Sequence, residues 1–308
     1  MPCDLALSAA PATPTAGHRI SCALPALALL FNALVWGVSW WPFRQLDLRG
    51  LHPLWATALI YALAVLVISA VRPRSWPELL RTPALWVLVL ASGTTNAAFN
   101  WAVTSGDVVR VVLLFYLMPL WAVLLARWLL GERFTRLAWL RVVMALGGAA
   151  IVLWPESSTQ SAWPLPRNLP EWLSVLGGFS FAFNNVMLRR EAQRSEGARA
   201  LAMFVGGVLV AGTLATALAL NGGVPWPPHD AGAWLLGATL MGGLFLASNL
   251  ALQYGAARLS ASATAVVLVS EVLFASGSAV LLGAGAITLP LLMGGALILG
   301  ATLLAARQ

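Results

Sequence analysis

The stretch NAAFNWA, Asn96–Ala102, interrupts an apolar run with two amides and an aromatic ring, and NLALQYG, Asn249–Gly255, does so again in the second half of the chain. In each, an Asn is followed four residues later by another amide and then by an aromatic residue. Residues four apart share one face of a helix, so Asn96 pairs with Asn100 and Asn249 with Gln253. Amides inside an apolar helix are costly unless they find partners. The same costly arrangement in both halves of one chain points to a duplicated unit with a polar interior.

Three further echoes run in the same order. MPLWAVLLARWLLGE (Met118–Glu132) aligns with SEVLFASGSAVLLGA (Ser270–Ala284), GGAAI (Gly147–Ile151) with GGALI (Gly294–Ile298), and WGVSWWPFR (Trp36–Arg44) faintly with FAFNNVMLR (Phe181–Arg189). Composition says what kind of unit repeats. Of 308 residues, 60% are hydrophobic and 9% charged, against about 25% charged in a soluble domain. No single core could hide that much apolar surface. The fold class is therefore an all-α polytopic membrane protein.

A membrane-crossing helix needs roughly 20 apolar residues. Division at Arg, Pro and Gly clusters leaves about ten such stretches, near 23–43, 52–71, 84–104, 108–130, 137–154, 170–188, 200–220, 232–254, 260–282 and 287–305. Residues 1–22 read as a disordered cytoplasmic tail, 23–154 as a first five-helix repeat, 155–169 as a periplasmic linker and 170–305 as a second five-helix repeat. An odd number of helices per repeat inverts the second copy across the bilayer. Ten transmembrane helices in two inverted repeats place a substrate site at the repeat interface near the midplane.

The net charge of +7 comes from Arg alone, with no Lys in the chain. These Arg residues fall in short gaps between apolar stretches, which argues against a nucleic-acid partner. With the N-terminus inside, all but Arg44, Arg49, Arg110 and Arg167 lie on the cytoplasmic side, so both termini are expected there. Cys3 and Cys22 match no metal spacing, and His18, His52 and His229 fall in tails or loops. Neither HExxH nor GxSxG occurs, nor GxxxxGK[ST]. No catalytic residue, metal or cofactor is expected, and the chain does not read as an enzyme or a primary pump. The partners expected are a small-molecule substrate and the lipid bilayer. The sequence sets no oligomeric state, and a monomer is one candidate.

Several residues could line a substrate cavity. Asn32, Trp36 and Trp40 share a face of the first stretch, with Trp36 deeper than the lipid-interface belt where Trp also collects. Asn96, Asn100, Asn249 and Gln253 either line the cavity or hold the bundle together by interhelical hydrogen bonds. Trp101 and Tyr254 would stack on substrate. Tyr116 lies one turn before Pro119, a candidate hinge because proline removes a helix hydrogen bond. Glu271 is the acid set deepest in an apolar stretch, which makes it a functional candidate by default. It could couple protons, bind a substrate amine or form a structural pair, with Asn184 and Asn185 as candidate partners. Gly147/Gly148 and Gly294/Gly295 suggest close helix contacts.

The five-plus-five plan, Pro119 with Gly131-Glu132, and the GGALI segment resemble the drug/metabolite transporter superfamily and its EamA branch. The Trp-rich first stretch and MPLW are most similar to the aromatic amino-acid exporters of that branch (YddG-like). The second half departs from the pattern, with Ser270-Glu271-Val272 in place of a Glu-Pro and Gly283-Ala284 in place of Gly-Glu. The resemblance implies alternating access through a central cavity and export of aromatic and other neutral amino acids across the bacterial inner membrane. Efflux of a drug, toxic cation or other metabolite is the alternative.

Overall fold

The structure is a computed structural model that describes residues 16–129, 136–152, 154, 165–191, 193–256, 258, 267–268 and 270–305. The described residues are helical with short connections and no strand. In chain order the α-helices are α1 (Ala16–Val38), α2 (Trp40–Leu48), α3 (Pro53–Val71), α4 (Ser75–Arg81), α5 (Pro83–Ser105), α6 (Val108–Phe115), α7 (Met118–Leu129), α8 (Arg136–Val152), α9 (Leu169–Arg190), α10 (Glu196–Leu220), α11 (Leu235–Ala256), α12 (Ser270–Leu281) and α13 (Leu289–Ala305). α1 begins inside the stretch read as a tail, and Met1–Thr15 lies outside the described residues.

Local chemistry sets the boundaries. Pro53 and Pro83 open α3 and α5, where a missing N–H costs nothing. Gly50 takes a left-handed φ of 85° after α2, a conformation that glycine adopts without penalty. Asp107 Oδ1 caps α6 by accepting from Arg110 N at 2.8 Å, and Ser195 Oγ caps α10 by accepting from Ala198 N at 3.2 Å.

Among the described residues, five segments are long and apolar enough to cross a membrane: Leu24–Leu48, Pro53–Val71, Val108–Leu129, Glu196–Leu220 and Leu235–Leu252. Three shorter apolar helices accompany them, Trp139–Val152, Ser270–Leu281 and Leu289–Ala301. α5 and α9 are as long as the first group but too polar to join it. Their polarity faces inward. α5 packs along α10, α9 and α3, while α9 also meets α6 and α7. Where α5 crosses α10 the backbones touch: a Cβ on Gly206 would strike the carbonyl oxygen of Val89.

Burial is distributed as lipid requires. Asn32, Thr57, Ser92, Asn100, Asn184 and Ser248 are buried, while Leu66, Leu90, Leu240 and Trp128 are 63–82% exposed. Water would penalise that surface heavily, and a hydrocarbon surround does not. Around the centre, α1 lies between α11 and α12, and α8 pairs with α13. Gly148 and Gly294 make the latter contact, which places them in a helix pair within the chain.

Candidate functional site

A cavity of about 200 Å³ opens at the middle of the bundle, and residues from α1, α3, α5, α6, α7, α9, α10, α11 and α12 line it. Helical spacing aims most of them. Asn32 and Trp36 come from one face of α1, Ser92, Thr95, Asn96 and Phe99 from α5, Phe181 and Asn184 from α9, and Phe245, Asn249 and Leu252 from α11. Phe115, Tyr116 and Met118 flank the break between α6 and α7, inside the segment Val108–Leu129.

The walls are aromatic. Trp36 stacks on Phe245 at 4.6 Å between ring centroids, Phe115 meets Phe99 at 4.7 Å and Phe181 at 5.4 Å, and Tyr61 meets Phe204 at 5.5 Å. Among them runs a set of polar contacts. Tyr61 OH donates to Asn96 Oδ1 at 2.6 Å, and Asn96 Nδ2 donates to Ser92 O at 2.8 Å. Asn32 Nδ2 donates to Ser248 Oγ at 2.7 Å, joining α1 to α11. Tyr116 OH donates to Glu271 Oε2 at 3.3 Å, joining the α6/α7 break to α12. Asn184 Oδ1 is buried with no hydrogen-bond partner among the described residues.

Of the residues singled out from sequence, Trp36, Asn96, Tyr116, Asn249 and Glu271 line this one cavity. Asn100, Trp101 and Tyr254 do not. Asn100 is fully buried and donates Nδ2 to Thr57 Oγ1 at 3.0 Å, tying α5 to α3. Trp101 packs edge-on against His52 at 5.2 Å, and the Arg258 guanidinium sits 3.8 Å over the Tyr254 ring. The reason is angular. Each aromatic follows its leading Asn by five residues, which at 3.6 residues per turn rotates it by about 140° to another face. The side chains of Pro119 and Gln253 lie outside the described residues. The helix break falls at Tyr116–Leu117, just before Pro119.

Tyr61, Thr95, Phe99, Phe115, Phe181, Met203, Phe204 and Phe245 line the cavity without having been singled out. A signal existed for two of them: Phe245 lies four residues before Asn249, and Tyr61 carries a phenol hydroxyl in the middle of the mostly apolar α3. Asn184, weighed as a partner for Glu271, lines the same cavity, but the bond to Glu271 comes from Tyr116.

Polar ties gather at one end of the cavity. Arg44 donates Nε to Thr104 O at 3.0 Å and Nη2 to Gly106 O, clamping α2 to the end of α5. Trp40 Nε1 donates to Ser278 Oγ at 2.9 Å. Arg110, at the start of α6, pairs at 3.0 Å with Glu171 at the start of α9. The Glu171 carboxylate also accepts from Arg167 N at 2.8 Å.

Comparison with known proteins connects this arrangement to a family. The EamA-like transporter family matches residues 23–154, the stretch that supplies α1 to α8. Residues 23–154 form an EamA-like transporter domain. An uncharacterized transporter of Pseudomonas aeruginosa is 33% identical over 131 residues, 41% of this chain and 40% of that protein. The RarD protein of Salmonella typhi is 29% identical over 181 residues, 56% of each chain, and that of Escherichia coli 28% over the same span. The matches thus span about half the length of these relatives. A crystal structure with 18% identity superposes with a TM-score of 0.55 over 91% of this chain and 96% of its own, so the likeness of fold runs well beyond the EamA-like domain. The protein is a multi-pass membrane protein, and the family that its residues 23–154 match is one of transporters. The EamA-like domain supplies Asn32, Trp36, Tyr61, Asn96 and Tyr116 to the cavity, whereas Asn184, Phe245, Asn249 and Glu271 come from beyond the matched residues.

Proposed function

We propose that the protein is a secondary transporter of the bacterial inner membrane. It would export aromatic and other neutral amino acids by alternating access, with both termini in the cytoplasm. The carrying observation is the central cavity itself, walled by aromatic rings, threaded with amides and lined by both halves of the chain. Such a lining suits a small amphiphile whose polar end needs hydrogen bonds and whose apolar end needs rings.

Alternating access requires two states of comparable energy, which ten helices in inverted repeats supply by exchanging the roles of the halves. Packing supports that plan. With α1–α2, α3, α5, α6–α7 and α8 as one half and α9 to α13 as the other, the main contacts between halves come in swapped pairs. The contact of α5 with α10 is matched by α11 with α3, that of α5 with α9 by α11 with α1, and that of α7 with α9 by α12 with α1. The contacts of α3 with α10, α6 with α12 and α8 with α13 match themselves. At the last of these, a Cβ on Gly148 would stand 2.6 Å from Gly294 O, and a Cβ on Gly294 would stand 2.6 Å from Gly148 O.

The test is counterflow in proteoliposomes loaded with unlabelled phenylalanine, tryptophan or threonine. Transient accumulation of labelled amino acid, competed by aromatic amino acids, is the expected result. Its absence with every amino acid would reject amino-acid export. A second reading, efflux of a cationic drug or metabolite, is favoured by one observation: Glu271 is the charged side chain lining the cavity, and no Arg, Lys or His joins it among the described residues.

A further inference from the structure

The hydrogen-bonding balance of the cavity is uneven. On the donor side, the Tyr61 hydroxyl is held by Asn96, the Tyr116 hydroxyl by Glu271, Asn96 Nδ2 by Ser92, Asn32 Nδ2 by Ser248 and the Thr95 hydroxyl by Ala91 O. On the acceptor side, two groups are underused. Among the described residues, Glu271 receives a hydrogen bond at Oε2 from Tyr116, and Asn184 Oδ1, on a residue 2% exposed, receives none. A carboxylate has about four lone-pair sites and a carboxamide oxygen two. Buried acceptors left without donors cost free energy until something supplies the protons.

A ligand can supply them if it carries an ammonium, which offers three donors and no acceptor. Its charge would offset that of Glu271 in a lining with no basic side chain among its described residues. The ring faces of Trp36, Phe99, Phe115, Phe181 and Phe245 would add cation–π attraction and receive the apolar remainder of the molecule. No basic side chain among the described lining residues awaits an anion. We propose that the cavity selects its substrate by a protonated amino group held between Glu271 and Asn184 Oδ1, and that a free carboxylate on the substrate is dispensable. The substrate class is then amines with an apolar or aromatic body, which includes decarboxylated amino acids. This deepens the transporter reading and rests on the cavity being the substrate site.

The test titrates the purified full-length protein with four probes of one skeleton: phenylalanine, phenethylamine, N-acetylphenylalanine and 3-phenylpropionate. Intrinsic tryptophan fluorescence reports binding, and counterflow of the same compounds is measured in parallel. The expected result is binding of phenethylamine within about tenfold of phenylalanine, with the two amine-blocked or amine-free probes weaker by more than about tenfold, or 1.4 kcal/mol. Glu271→Gln and Asn184→Ala should each weaken phenethylamine by a similar factor. Asn184→Asp, which adds acceptor capacity, should keep or tighten it, separating recognition from loss of fold. Equal binding of 3-phenylpropionate and phenethylamine, unchanged affinity in Glu271→Gln and Asn184→Ala, or no binding of any probe would overturn the proposal. Amine-selective binding without counterflow of any compound would sustain it and reject the transporter reading instead.

Discussion

Asn96 and Asn100 sit one helical turn apart and meet different fates. Asn96 is held by Tyr61 and Ser92 at the cavity wall, while Asn100 is sealed against Thr57. Interhelical side-chain hydrogen bonds in membranes contribute about 0.6 kcal/mol on average. Asn100→Ala should therefore lower thermal stability by roughly 1 kcal/mol and leave ligand affinity alone, whereas Asn96→Ala frees the Tyr61 hydroxyl and should change affinity. Thermal melts and ligand titrations of the two variants, side by side, check this. Equal losses of affinity would mean that Asn100 reaches the ligand. Glu271→Gln carries a separate prediction. If the carboxyl couples transport to protons, the variant loses the response of counterflow to an imposed pH gradient while still exchanging substrate. An undiminished response would return Glu271 to ligand binding or structure. At this scale the sequence is half legible. It reveals which residues are too polar for lipid, because each such residue breaks an apolar run. It does not reveal that Trp101 and Tyr254 turn away, because that depends on where the cavity lies around the helix and not on which helix carries it.

Helices are the most legible level, since hydrophobic length has few alternatives in a bilayer. Each apolar stretch read from sequence contains α-helix among its described residues, with interruptions such as Ser39 and Tyr116–Leu117. The breaks inside them are less predictable. The first stretch ends near residue 43 by composition, yet helix continues to Leu48 after a bend at Ser39, whose Oγ donates to Trp36 O at 2.7 Å. The charge of Arg44 is tolerated there because two backbone carbonyls of the α5 terminus receive it, which no local sequence signal records. The α6/α7 break has a covalent cause. Pro119 lacks the N–H that would reach Phe115 O, and that carbonyl faces Gly178 of α9 at a distance that no Cβ would allow. Glycines elsewhere divide just as sharply. Gly147 and Gly148 are neighbours, but a Cβ on Gly147 meets nothing within 4 Å while one on Gly148 meets Gly294 O and Ile298. Gly148→Ala should destabilise the α8/α13 pair by about 1–3 kcal/mol, as overpacking does. Gly147→Ala should be neutral or stabilise by up to about 1 kcal/mol through helix propensity. Melting temperatures that move together for both variants would contradict the contact.

At the scale of the whole molecule, the distribution of polar ties bears on which mouth of the cavity is closed. Arg44 with Thr104 and Gly106, Trp40 with Ser278, and Arg110 with Glu171 all sit where α5 ends and α6 and α9 begin. α5 and α9 run antiparallel here, since Gly106 abuts Pro170 and Phe99 abuts Gly177. Under the proposed orientation this is the periplasmic end. Glu171 is 4% exposed and also accepts from Arg167 N, so losing its charge beside Arg110 should destabilise this end of the bundle. That makes the pair a sensitive control on opening. A protein with Cys3→Ser and Cys22→Ser, carrying Asn249→Cys in the cavity wall, should resist a membrane-impermeant maleimide added to spheroplasts and react when the reagent enters from inside-out vesicles. Adding Glu171→Gln removes the charge of the pair and should raise labelling from the spheroplast side several-fold, with a drop in melting temperature. Labelling that is equal from both sides before that substitution would mean that these ties brace the bundle without closing it. Labelling unmoved by Glu171→Gln, with stability reduced, would assign the closure to Trp40 with Ser278, because that tie reaches across from α2 in the first half to α12 in the second.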